Sequence, residues 1–164
     1  MLLYLVRHAI AVERGDSTYS DGERPLTEKG ARRMCRVVRG LARLGVHLDA
    51  IWTSPLVRAI QTAEILATLP RFTGKMTVDK ALAPGGDADA LISDVGHSGN
   101  VGALALVGHE PDLSELCGRL ITGRSESVVA LRKGAVACVE IVEFEPAVRG
   151  VLQWLMQPGA LRRI

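Results

Sequence analysis

The 164 residues are 48% apolar, with 20 basic against 18 acidic side chains and a formal net charge of +2. That is enough chain to bury one good core and too little for two ordinary domains, so residues 1–164 read as a single domain. So small a charge excess calls for no nucleic-acid and no membrane partner. Cys35, Cys117 and Cys138 are an odd number in apolar surroundings, which points to buried reduced thiols and a cytoplasmic setting rather than a disulfide framework.

The opening Met-Leu-Leu-Tyr-Leu-Val run stops at Arg7 and has no basic stretch before it. It is too short for a signal peptide or a bilayer span and reads as a buried first strand over residues 2–7. A polar loop from Glu13 to Arg24 leads to Thr27, which can cap a helix reaching about Leu44, with Gly45 as its stop. A second strand over 48–53 precedes Ser54-Pro55, read as a cap followed by proline at the first position of a helix over 55–68. Residues 76–82 suggest a short strand, and Asp87, after the Pro84-Gly85-Gly86 turn, a cap for a helix over 88–95. Residues 103–108 form another buried strand, followed by a helix from Glu110-Pro111 to about Ile121. Two runs, 135–144 and 151–157, flank Glu145-Pro146 and Gly150 as a closing antiparallel hairpin. Strands alternating with helices in this way predict an α/β fold: a three-layer α/β/α sandwich with a mostly parallel central sheet.

Arg7-His8-Ala9, Ser54-Pro55-x-x-Arg58 with Gln61-Thr62 after it, and Gly108-His109-Glu110 all fall just beyond the carboxyl ends of predicted strands. That edge carries the ligand crevice in open α/β sheets, so distant residues converge there. Two arginines with planar forks and two imidazoles suit a phosphoryl group. Neutral His8 can attack phosphorus, because flanking guanidinium charge keeps it unprotonated, while Arg7, Arg58 and a protonated His109 bind the phosphoryl oxygens. Competing chemistries lack their residues. After Cys35, Cys117 and Cys138, the position where a thiol phosphatase needs arginine holds Leu41, Gly123 and Phe144, and no clustered Cys/His set suggests a metal. No cofactor is expected.

The three motifs resemble the histidine phosphatase superfamily, named for an Arg-His-Gly motif in which Ala9 here replaces the glycine. Within it, the short length, Arg24-Pro25-Leu26-Thr27-x-x-Gly30 and Pro84-Gly85-Gly86-Asp87 resemble the SixA-type phosphohistidine phosphatases. The resemblance implies hydrolysis of phosphohistidine on a signalling protein, such as a histidine-containing phosphotransfer domain. A small phosphoester substrate, or a catalytically silent phosphate-binding module, are the alternatives. Larger members carry a glutamate acid after the third strand, where this chain reads Leu82-Ala83-Pro84-Gly85-Gly86. The proton donor is therefore open among Asp87, better suited to capping, and Asp16, Asp21 and Glu23 of the first loop. Arg32, Arg36, Arg39 and Arg43 share one helix face, read as a solvated surface with an acidic docking partner as the alternative.

Overall fold

The computed structural model describes residues 1–15 and 17–164; of the candidate proton donors, Asp16 lies outside the described residues. A six-stranded sheet runs in the order β3-β2-β4-β1-β5-β6. Its strands are β1 (Leu2–Arg7), β2 (Ala50–Thr53), β3 (Lys75–Val78), β4 (Ala103–Gly108), β5 (Val136–Glu143) and β6 (Arg149–Met156). The first four are mutually parallel, and β5 runs antiparallel to both β1 and β6, closing the sheet as the expected hairpin.

The helices are α1 (Glu28–Arg43), α2 (Val57–Leu66), α3 (Ala88–Gly96), α4 (Asp112–Thr122) and α5 (Pro158–Leu161). Alternation along the strands divides the apolar side chains between two cores. Tyr4 and Val6 join Met34, Leu41, Ala59, Ala63 and Leu161 on the face covered by α1, α2 and α5. Leu3 and Leu5 join Leu91, Leu113 and Leu120 under α3 and α4. The result is the three-layer α/β/α arrangement.

Local signals decide the helix ends. Thr27 Oγ1 accepts the Gly30 N–H at 2.9 Å, and Gly45, at φ +75°, ends the helix where a Cβ would be strained. Three expectations fail. The strand expected over 76–82 stops at Val78, and Lys80–Leu82 form a 3-10 turn begun by Asp79, whose side chain accepts the Ala81 N–H. Helix α2 starts at Val57 rather than residue 55, and Leu56 occupies the cap position without a side-chain bond, while Ser54 Oγ lies between the Leu56 N–H and His109 Nε2. Cys35 is exposed, while Cys117 and Cys138 are buried; none is in a disulfide. The buried stripe of α1 runs through Met34, Val37, Val38 and Leu41, and Cys35 falls on the solvent side with Arg32, Arg36, Arg39 and Arg43. Arg32 pairs with Glu28 at 3.1 Å, and Arg43 donates to the Ile164 carbonyl at 2.6 Å. No described helix is long and apolar enough to cross a membrane.

Candidate active site

Strands β1 and β4 are neighbours in register, Arg7 opposite Gly108, so the residue after each lands side by side. His8 and His109 therefore face each other with ring centroids 5.1 Å apart. The chain leaves β1 toward α1 on one face and β4 toward α4 on the other, which opens the crevice of an α/β sheet at this point. Strand β2 pairs with β4 on its other side, Thr53 opposite Val107, and delivers Ser54 beside His109.

The two imidazoles are committed differently. His8 Nδ1 lies 2.7 Å from the Ala9 carbonyl oxygen, which can only accept, so the proton sits on Nδ1 and Nε2 carries the lone pair. His109 Nε2 lies 2.8 Å from Ser54 Oγ. Ser54 Oγ accepts the Leu56 N–H at 3.3 Å, and among the described residues His109 Nε2 is the one acceptor for the proton of this buried hydroxyl, which puts the His109 proton on Nδ1. Burial pulls the His8 pKa down to about 3, against the Ala9 bond and with the help of His109, Arg58 and Arg7. Burial also brings His109 down to about 4, followed by Arg58, Arg7 and Arg24 charge that Asp21 partly offsets. The free site thus holds two neutral imidazoles, with the His109 Nδ1–H as a donor.

Arg7 donates from Nη1 to the Leu131 carbonyl at 2.6 Å, and Arg58 from Nη1 to the Asp21 carbonyl at 2.6 Å. Among the described residues, the buried side-chain nitrogens and oxygens without a partner are Arg7 Nε, Arg58 Nε, His109 Nδ1 and Glu110 Oε1. All four belong to the three motifs, and three are donors. Buried donors are rarely left unpaired, so this cluster is built for an acceptor-rich anion.

The remaining motif residues hold this arrangement. Thr62 Oγ1 accepts the Ala9 N–H at 3.0 Å and donates to the Arg58 carbonyl at 2.6 Å, tying the loop after β1, which carries His8, to α2. Gln61 Oε1 accepts the Leu26 N–H at 2.7 Å, fixing the first loop to the same helix. Gly30 packs so closely that a Cβ there would stand 1.9 Å from the Ile10 carbonyl oxygen, which accounts for the glycine after Thr27. Sequence reasoning missed three participants. Ser54 read as a cap, but it orients His109. Arg24 is buried, with its charge acting on His109, and Glu110, whose pKa is raised by burial, stands within electrostatic reach of Arg7. Only the packed loop brings Arg24 inward; nothing local in Glu23-Arg24-Pro25 signals it.

The candidate proton donors are placed as follows. Asp87 accepts the N–H groups of Asp89 and Ala90 at 2.9 and 3.0 Å and is the cap of α3. Asp21 accepts from Arg14, Arg24 and Arg58; burial alone would raise its pKa, but the bonds from Arg24 and Arg14 and nearby arginine charge outweigh it and bring it to about 2. Glu23 accepts from Ser20 at 2.6 Å. A separate cavity of about 530 Å3 lies between α3, α4 and the β5–β6 turn, lined by His97, Arg119 and Phe144 among others, and Arg7, His8, Arg58 and His109 are not part of its lining.

The family model described as histidine phosphatase superfamily (branch 1) matches residues 3–83. An uncharacterised protein of Picosynechococcus is 40% identical over 83% of this chain and 82% of its own. Phosphohistidine phosphatase SixA of Escherichia coli is 26% identical over 99% of this chain and 97% of its own. The solved structure of the protein histidine phosphatase SixA complexed with tungstate superposes with a TM-score of 0.86 at 26% identity, covering 98% of this chain and 99% of that one. The alpha-ribazole phosphatase of Shigella flexneri shares the fold at 18% identity and a TM-score of 0.73, over 93% and 95%.

Proposed function

For a chain that belongs to the histidine phosphatase superfamily, we propose the specific activity of a phosphohistidine phosphatase: hydrolysis of a phosphoryl group carried on a protein histidine, through a covalent intermediate on His8. The observation that carries the reading is the set of orphaned buried donors, Arg7 Nε, Arg58 Nε and His109 Nδ1, around a neutral imidazole whose Nε2 lone pair is free. A phosphoryl dianion supplies the acceptors those donors lack.

In the first step His8 Nε2 attacks phosphorus, and the bond from phosphorus to the departing substrate nitrogen breaks. The departing imidazole keeps a proton on its other nitrogen and leaves neutral, so this substrate asks little of a general acid. That suits a chain whose Asp87 is spent on a helix cap and whose Asp21 is held ionised. Arg7, Arg58 and His109 meet the charge that grows on the equatorial oxygens, which is where preorganised donors act. Water then attacks the phosphohistidine, the bond to Nε2 breaks, His8 is restored, and the water proton leaves with inorganic phosphate.

Support for a protein substrate comes from the likeness to SixA over nearly the whole chain. The short passage from β3 to α3, one 3-10 turn over Lys80–Leu82 and the Pro84 to Asp87 turn, also leaves access for a phosphoryl group borne on a large partner. Unpaired cysteines accord with action in the cytoplasm. With charge at phosphorus handled by arginine and histidine, the reaction requires no metal.

The test is a substrate panel on the purified protein. A phosphorylated histidine-containing transfer domain is expected to give a higher kcat/KM than any sugar or nucleotide phosphate, and turnover is expected to survive exhaustive EDTA. A small phosphoester turned over faster than the protein would overturn the substrate assignment. Loss on chelation that divalent metal restores would overturn the site chemistry.

A further inference from the structure

One of the cations that a phosphoryl group would use, Arg58, is already engaged by a carboxylate of the chain itself, together with the neighbouring Arg24 and Arg14. Asp21 Oδ1 accepts from Arg24 Nη2 at 2.8 Å, Arg24 Nε at 3.2 Å and Arg14 Nε at 3.1 Å, while Oδ2 stands 3.2 Å from Arg58 Nη2. A carboxylate and a phosphoryl group present the same kind of oxygen to a guanidinium fork, so the two compete for one set of donors. We propose that Asp21 is an internal competitor of the phosphoryl group, a carboxylate that ties the first loop across the mouth of the site and must give up the Arg24 and Arg58 forks when an oxyanion binds. The inference rests on the phosphoryl reading of the site and adds the residue that sets how tightly the anion is held.

The asymmetry of the cluster says which partner yields. The Arg58 and Arg24 side chains are 3% and 8% exposed, and Asp21 is 43% exposed. Arg58 is held in α2, and Arg24 is anchored by a bond from Nη1 to the Val12 carbonyl. The base of the loop is fixed as well: Val12 N–H reaches the Pro25 carbonyl and Val57 N–H the Gly22 carbonyl. What can move is the Asp21 carboxylate, and with it the Arg14 side chain that it pairs with, whose own exposure is 81%. In the exchange the oxygens of the bound anion take over the guanidinium donors that the carboxylate gives up. Product phosphate leaves readily for the same reason, because Asp21 reclaims the forks.

Calorimetric titration of inorganic phosphate and of vanadate into wild type, Asp21→Asn and Asp21→Ala tests this. Both variants are expected to bind both anions about tenfold tighter, since a unit charge a few ångströms from the bound oxyanion is removed at a half-exposed site. Tryptic cleavage after Arg14 is expected to quicken when vanadate is added to wild type, and to be fast with or without vanadate in the variants. Unchanged or weaker affinity in both variants, or protection of Arg14 by vanadate, would overturn the proposal. So would a hundredfold loss of kcat without tighter anion binding, which would mark Asp21 as a proton donor. Wild-type protein that binds neither anion would sink the phosphoryl reading together with this one; binding in wild type that the variants fail to tighten would sink the Asp21 assignment alone.

Discussion

His8 and His109 are imidazoles in one buried cluster, yet their bonded nitrogens assign them opposite tasks: His8 gives its proton to Ala9 and offers a lone pair, and His109 takes a proton from Ser54 and offers its own. With a labelled substrate and acid-free quenching, wild type is expected to form an acid-labile, base-stable phosphoenzyme that is absent from His8→Ala. His109→Ala should still label, with kcat/KM down about 100- to 1000-fold, because a transition-state donor is lost while the attacking atom remains. Label that persists in His8→Ala and vanishes in His109→Ala would reverse the two roles. The pH profile follows from the same bonds. With His8 at about 3 and His109 at about 4, neither ring of the free enzyme gains a proton between pH 7 and 5. Once corrected for ionisation of the substrate, kcat/KM should therefore show no acid limb in that range. A limb near pH 6.5 that disappears in His109→Gln would mean that His109 works as the cation.

Two glycines of α1 separate what holds the site from what only holds the helix. A Cβ on Gly30 would meet the Ile10 carbonyl oxygen at 1.9 Å, two residues beyond the nucleophile, and one on Gly40 would meet the Leu161 carbonyl oxygen of α5 at 2.0 Å. Both substitutions to alanine overpack a close contact and should cost about 1–3 kcal/mol in urea unfolding. Only Gly30→Ala should also lower kcat/KM, by about 100-fold, since it pushes the His8 loop out of line. Equal losses of activity in the two variants would mean that the first turn of α1 does not position His8. The same contrast shows what was legible in the sequence. The strands other than the far half of the third, the Thr27 cap and the place of the three motifs beyond strand ends are local patterns, and they appear where the residues predict them. The reason for Gly30, the turn of Ser54 toward His109 and the inward set of Arg24 are products of how separate elements meet, and no local period encodes them.

For the molecule as a whole, building a phosphoryl site from two buried imidazoles ties folding stability to pH. Both folded values, about 3 for His8 and about 4 for His109, lie below the value of about 6.5 for an unfolded histidine. Between those limits the unfolded chain binds more protons than the folded one, so stability rises with pH across the window. It is complete above pH 6.5 and is lost as pH falls toward the folded values. Asp21, at about 2 when folded, acts in the same sense but only below pH 4. Each histidine can contribute a slope of up to about 1.4 kcal/mol per pH unit. Urea midpoints measured at pH 7 and pH 5 should fall clearly for wild type and far less for the double variant His8→Asn/His109→Gln, which has no imidazole to protonate there. The remaining histidines lie away from the site: His47 and His97 are exposed, paired with Asp49 at 3.1 Å and the Ser93 carbonyl at 2.7 Å. An equal drop in both proteins would show that acid sensitivity arises elsewhere and that the two site histidines are not held neutral by the fold.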